Sequence, residues 1–514
     1  LRAAGRSGRC VVVALWACAC DPATPPPTEV RVAYPIGLAT ALPHETADTH
    51  SASILANVYE PLVDFGPNLA LEPRLARSWR TTSDLDWVFD LRPGVTLHDG
   101  SPLSAADVVR ALELARDDEA SRVRPELAAV REIVAEPGAV RLSTRYPVPA
   151  LPNRLASVPI FALRGSGPVG SGPYRLAGWE QGRSAELDRF ASYWGARPSV
   201  ATLRFSRIED AVERLHAVGR GEVDLATDVE AAAGADGAQT PGARVVSRPG
   251  LTVLYLGFDC ARERSPHVAL DRNPFRDPRV RLAFALALDR QQLVSGPLRS
   301  RARVVEQVVA PEVFGANPRL VGWAPNPARS RALLAAAGFA TGFEVWFDAG
   351  DGLVVRSAEG RELLSQITAQ LRGIGVRLRP RPQPAEALLA RIEARDSALY
   401  LSEWVGTSGD FGITAEYLLH TPGGGLGTFN GGGYSNPEVD LALEAAGRTL
   451  DAGRRSALLQ EVGRRVHEEA AVVPLARLSD GYAVRDGLRF EPRLDRHVRG
   501  AALSWSERDS ITGG

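Results

Sequence analysis

Apolar and polar positions alternate in several short stretches of this chain and recur at helical spacing in others. EVRVAYPI, residues 29–36, alternates as a strand does, and SASILANVYEPLV, 51–63, reads as a helix running into a strand. DWVFDLRPGVTLHDG, 86–100, predicts a hairpin: Trp87, Phe89 and Leu91 alternate, Pro93-Gly94 turns the chain, and Val95 and Leu97 alternate back. Asp99-Gly100 is a turn dipeptide, because glycine takes positive φ at little cost. Ser104 stands three residues before Asp107, a Ser-x-x-Asp capping signature ahead of AADVVRALELA. The histidine, aspartate and serine of LHDGSPLSAADV are therefore predicted to be turn and helix cap rather than catalytic groups.

Further along, the Pro/Gly-rich segment 145–174 is predicted to carry the chain from one subdomain to another, and 201–226 reads as strand, helix, Gly221 turn and strand, a βαβ unit. A second block follows: strand 251–259, one helix over 277–294, and a helix over 327–339 closed by Gly338. Strand 343–349, helix then strand over 361–382, strand 398–404, helices 436–450 and 452–470, and strand 472–479 complete it. This alternation predicts α/β domains with mixed sheets.

A chain of 514 residues exceeds what one core organises, so two or more domains are expected. Lys and Arg total 60 against 61 Asp and Glu, so no basic excess invites nucleic acid. No apolar run reaches the ~18 residues of a membrane-crossing helix. No Gly-x-Ser-x-Gly elbow and no Walker loop occurs, and HETADTH and HEEAA lack the second histidine of a zinc helix. His44 and His50 are expected to face solvent. The glycine cluster 421–440 lacks the strand-before, helix-after setting of a phosphate cradle and reads as a loop ending in an N-cap at Asn436, with Pro437 in the first turn. No catalytic set, metal site or cofactor is predicted.

The first 28 residues differ in kind. Arg2, Arg6 and Arg9 precede a short apolar run, Val11 to Ala17, then Cys18 and Cys20, then a Pro-rich tether to Thr28. This is a secretory signal pattern. Ending the apolar run at a cysteine resembles a bacterial lipoprotein signal acylated at Cys18 or Cys20; the other reading is a cleaved signal with incidental cysteines. Cys10, Cys18, Cys20 and Cys260 build no disulfide framework, and Cys260 is expected as a small buried hydrophobe.

Eight segments, in order, resemble the solute-binding proteins of bacterial ABC importers, family 5, which bind oligopeptides, dipeptides and nickel complexes. They are residues 57–109, GSGPYRLAGW, DRFASYWG, GEVDLATDV, NPFRDPRVRLAFALALDRQQLV, PARSRALLAAAGF, AQLRGIGVRL and GYSNPEVDLALEAA. The resemblance implies an α/β, two-lobed periplasmic-binding-protein fold (type II, cluster C-like) with mixed sheets. Lobe I would span 29–250 with an inserted subdomain near 76–168, lobe II 251–475, and 476–514 would return to lobe I. It implies no enzymatic activity, a periplasm-facing monomer held to the membrane by a lipid anchor, and a permease with its ATPase subunits as partners. The solute would be an oligopeptide or peptide-like molecule; a metal chelate, opine or sugar is the alternative, and a peptidase on the same scaffold a more distant one.

For the site, the resemblance points to SEWVGTSGDFGITAEYLLH. Trp404 matches a family tryptophan, but the aspartate that anchors a peptide amine would fall at 407, where this chain has Thr407 beside Gly406. Asp410, three residues on, is either a displaced amine anchor or a loop cap. Tyr34, Pro35 and Gly37 match a loop that runs along the solute, with Tyr34 either stacking on it or packing. Trp404 and Tyr417 are the expected pocket walls.

Overall fold

The computed structural model describes residues 28–506 apart from 47, 166, 230–240, 300 and 351–357. Cys18 and Cys20 lie outside the described residues. Among those described, no helix is long and apolar enough to cross a membrane.

The first lobe starts with β1 (Glu29–Tyr34) and α1 (Thr49–Leu55), the latter capped by the Asp48 carboxylate on the Ser51 amide. A subdomain with its own sheet follows: β2 (Ala76–Thr81), β3 (Asp86–Leu91), α2 (Ala105–Asp117), β4 (Val130–Glu136), β5 (Ala139–Thr144) and α3 (Leu151–Leu155). Its four strands form an antiparallel sheet in the order β2-β3-β5-β4. The hairpin expected over 86–100 is half right. Both edges of β3 are already paired, by β2 and β5, so the chain after Pro93-Gly94 finds no edge to return along. Val95 and Leu97 leave the sheet and bury their side chains in the core instead. The cap is as predicted: Ser104 Oγ accepts from the Asp107 amide at 3.1 Å, and Asp107 accepts from the Ser104 amide at 3.1 Å. His98 is half-buried. Its Nε2 meets the Gly172 carbonyl at 3.0 Å, its ring stands edge-on to Phe190, and burial pushes its pKa down to about 4.

The chain then adds β6 (Tyr174–Glu180), β7 (Ser184–Arg189), β8 (Thr202–Arg207), α4 (Ala211–Gly219) and β9 (Leu225–Thr227). The βαβ unit is present, and β1 lies between its two strands, parallel to both. Buried Asp224 fixes that arrangement, accepting from the Arg31 amide and guanidinium and from Arg485.

β10 (Ala243–Phe258) carries the chain into the second lobe. There follow α5 (Pro278–Ala287), α6 (Arg290–Ser295), α7 (Pro327–Ala336), β11 (Phe343–Gly350), α8 (Ala358–Arg372), β12 (Val376–Gln383), α9 (Ala385–Glu393), β13 (Leu399–Val405), α10 (Phe411–Leu418), α11 (Pro437–Ala446) and α12 (Ala452–Glu468). The single helix expected over 277–294 is two: Leu288 is extended, and the Asp289 carboxylate caps the Gln292 amide at 2.9 Å. An aspartate that bonds a nearby amide outside the helix competes with helix continuation. Asn436 caps α11 with Pro437 in its first turn, and Gly338 takes φ +85° behind α7, as expected. Cys260 is half-buried between the second-lobe cores, where burial raises its thiol pKa to about 11.

β14 (Val472–Arg485) returns to the first lobe antiparallel to β10, in register from Gly257–Val472 to Ala243–Arg485. One mixed sheet therefore runs through both lobes in the order β6-β7-β8-β1-β9-β14-β10-β13-β11-β12, with Ala302–Arg303 also pairing with β14. Apolar residues form a cluster in each lobe, and a third cluster joins Phe65, Leu69 and Leu494 to residues of the second lobe. At the crossing the ladder breaks: Gly250, Leu251 and Thr252 stand opposite Leu478 alone. Buried Arg477 recovers the carbonyls freed there, donating to Gly250 O at 2.5 Å and Pro249 O at 3.1 Å while pairing with Glu312 at 2.8 Å.

Replacing Ser104 by Ala removes one half of the capping box and is expected to cost about 1 kcal/mol in urea melts; an unchanged midpoint would assign the hydroxyl no capping role. The pH dependence of His98 has a definite sign. Its folded pKa of about 4 lies below its ordinary 6.5, so the unfolded chain takes up a proton first and stability falls as the pH drops through that interval. His98→Gln keeps a donor toward Gly172 and is expected to flatten this part of the stability-versus-pH curve, leaving the contribution of His497, also held near 4 by burial.

Candidate functional site

β13 ends at Val405, and the next four residues turn sharply into α10. Gly409 makes that turn at φ +66°, where an added Cβ would stand 3.1 Å from the Phe65 ring of the other lobe. The turn forms one wall of a cavity of about 1230 Å³, bounded on the far side by the subdomain residues around α3 and lined also by the glycine-rich loop that ends at Asn436. Trp404 and Tyr417 both stand edge-on to Phe429, at 5.7 and 6.1 Å between ring centres, and Trp404 Nε1 donates to Thr414 Oγ1 at 3.3 Å.

Several charges around this cavity are already paired. Arg154 on α3 meets Glu416 on α10 at 2.7 Å and Glu126 at 3.3 Å. Burial works against the guanidinium's charge, but the two carboxylates outweigh it and raise the Arg154 pKa; burial raises that of Glu126. Beside this contact Asn153 Nδ2 donates to Ser408 O at 3.1 Å. Both contacts join the subdomain to the second lobe.

Trp404, Gly406, Thr407 and Tyr417 all line the cavity, as does Phe429, which the sequence reading did not single out. Asp410 does not. It is 1% exposed, caps the Ile413 amide, and gives both oxygens to Arg455 at 2.5 and 2.8 Å. Of its two readings, the geometry matches the cap. Tyr34, Pro35 and Gly37 lie elsewhere. Tyr34 is buried, bonds Ser53 at 2.7 Å and stacks on Phe205; Gly37 packs against the Gly182 backbone, which a Cβ would meet at 2.4 Å. Arg154, Glu126 and Glu416 escaped the sequence reading because no spacing links them. Glu416 adjoins Tyr417, but nothing local marks it.

His44 and His50, expected at the surface, are not there. His44 is 2% exposed and bonds Asp118 at 3.0 Å; His50 bonds Asp228 at 2.8 Å. Each found an acid on a distant segment, a pairing no sequence window contains. His44, Glu45 and Asp118 do bring metal-type donors within 4.8 Å of one another, but the His44–Asp118 bond already occupies one nitrogen.

The model of the bacterial extracellular solute-binding proteins, family 5 (Middle), matches residues 70–425 of the chain. The glutathione-binding protein GsiB of Salmonella typhimurium is 25% identical over 467 residues, covering 87% of this chain and 88% of that protein. Among solved structures, the ABC transporter substrate-binding protein CtaP of Listeria monocytogenes superposes with a TM-score of 0.81 at 18% identity, covering 94% of this chain and 100% of that one. The oligopeptide-binding protein AppA of Bacillus subtilis, solved with a nonapeptide, gives 0.73 at 19% identity over 94% and 100%. The two structural likenesses establish a two-lobed α/β fold with mixed sheets.

If Asp410 is structural, Asp410→Ala strands a guanidinium in the core and is expected to cost about 3 kcal/mol or more in urea melts. Much of that loss should be absent when Arg455→Met is already in place. A small stability change accompanied by lost solute affinity would return Asp410 to the binding site.

Proposed function

The chain belongs to the bacterial extracellular solute-binding proteins of family 5, the binding components of ABC importers, and we propose that it captures oligopeptides or peptide-like solutes for delivery to a membrane permease. The observation that carries this reading is the cavity between subdomain and second lobe. At about 1230 Å³ it exceeds the roughly 300–1,000 Å³ of ordinary small-molecule pockets, and it suits an extended solute. Trp404, Tyr417 and Phe429 supply apolar walls that accept varied side chains. The Gly406–Thr407 turn offers backbone groups and one hydroxyl, neutral partners for a peptide main chain. The contacts of Asn153 and Arg154 with the second lobe hold that wall in place over a bound solute.

Thr407 and the engagement of Asp410 by Arg455 leave this turn without a free carboxylate for an amine. This supports a peptide-like solute held chiefly through its main chain and side chains here. A lipid anchor at Cys18 or Cys20 would keep a monomeric receptor beside its permease and ATPase subunits.

Mass spectrometry of solute released by denaturing protein purified without residues 1–28 tests the reading. Short peptides or a peptide-like molecule are expected, and Trp404→Ala should reduce the amount retained about tenfold, the equivalent of ~1.4 kcal/mol. A metal chelate, an opine or a sugar in their place would overturn peptide capture and favour the non-peptide alternative.

A further inference from the structure

Away from the large cavity, three side chains meet where the segment after β1 touches the subdomain. His44 and Glu45 belong to one 3-10 turn (Pro43–Glu45), and Asp118 ends α2 as its C-cap. Backbone and packing bring the two segments together. The Arg122 amide, just past α2, donates to the His44 carbonyl at 2.8 Å, and the His44 ring stacks on Phe161 at 5.4 Å between ring centres. One donor atom from each of His44, Glu45 and Asp118 then lies within 4.8 Å of the other two.

The meeting leaves negative charge in excess. His44 Nε2 and Asp118 Oδ2 are 3.0 Å apart, so a positive centre must lie between their lone pairs. One proton meets that need but does nothing for Glu45, whose carboxylate has no hydrogen bond or ion pair among the described residues. Asp118 has no arginine either. Arg116 spends its guanidinium on Asp117, and the other Asp118 oxygen accepts from the Ala120 amide at 2.9 Å. That amide and His44 hold the Asp118 carboxyl below the usual carboxylate range. Its charge also stands at the negative end of the α2 dipole, where anions are opposed and cations favoured. In the His44 ring, Nδ1 is buried without a partner, so moving the ring proton there from Nε2 breaks no bond at Nδ1. Nε2 then offers its lone pair beside two carboxylates. A borderline nitrogen with hard oxygens suits a divalent transition ion better than magnesium or calcium. Donors about 2.1 Å from an ion and 3.0 Å from each other subtend about 90° at it, the octahedral angle.

We infer that His44, Glu45 and Asp118 form a structural site for an octahedral divalent transition-metal ion, with water in its remaining positions. The ion takes the place of the proton between His44 and Asp118 and gives Glu45 the counter-charge it lacks. His44 and Asp118 are 74 residues apart in the chain, so the ion ties the segment after β1 to the end of α2. None of the three residues lines the large cavity, and the site is independent of the solute held there.

Calorimetric titration of the whole chain tests the site, after EDTA has stripped it of metal and its thiols have been alkylated. Cobalt(II) chloride is the probe and magnesium chloride the control. One cobalt ion per chain is expected, bound about tenfold or more weakly in Glu45→Gln and in Asp118→Asn, with magnesium far weaker throughout. Both residues are half-buried and both replacements keep the side chain's shape, so the variants retain the fold. No saturation by cobalt up to about 1 mM, or a cobalt affinity unchanged in either variant, overturns the site. Magnesium binding as tight as that of cobalt removes the imidazole from the donor set and overturns it as well.

Discussion

Everything in this molecule is hung on two strands that cross between its lobes with an imperfect ladder between them. A regular ladder would make the sheet stiff at that point; a complete break would strand backbone carbonyls in a buried place. Arg477 resolves the conflict by donating to the carbonyls of Pro249 and Gly250 and anchoring its remaining charge on Glu312. Proline at 249 supplies no amide to the ladder, and glycine at 250 makes room for the Asp480 carboxylate. The lobes thus share one sheet, and a third apolar cluster joins Phe65, Leu69 and Leu494 of the first to the second.

The second theme is the disposal of charge. Acids near the large cavity that look available in sequence are engaged in the fold: Asp410 by Arg455, Glu126 and Glu416 by Arg154. Burying those ions unpaired would cost several kcal/mol each, so their pairing is a condition of folding before it is anything else.

Much of the fold was legible because its signals are local. The Ser104 box, the Asn436 cap with Pro437 and the positive-φ Gly338 are decided within a few residues, and each formed where its pattern said. Expectations failed where a distant segment had the deciding vote. Val95 and Leu97 alternate like a strand, but β5, some fifty residues later, had taken the edge they needed. Asp289 interrupted an apolar pattern that otherwise continues through it. The site divides the same way. Trp404, Gly406, Thr407 and Tyr417 come from one window and one resemblance and meet in one cavity. Arg154, Glu126 and Glu416 come from three windows that only the folded chain brings together, and Tyr34 proved to belong to a small cavity near the crossing.

The crossing also sets where the two sides of the cleft meet. Thr252, at the break in the ladder, pairs with Val405 at the end of β13, and Ser408, which accepts from Asn153, follows three residues later. The bond that bridges the cleft and the break in the ladder therefore lie within a few residues of each other along one strand, and the apolar contacts of Phe65 and Leu69 with Leu251 lie beside both.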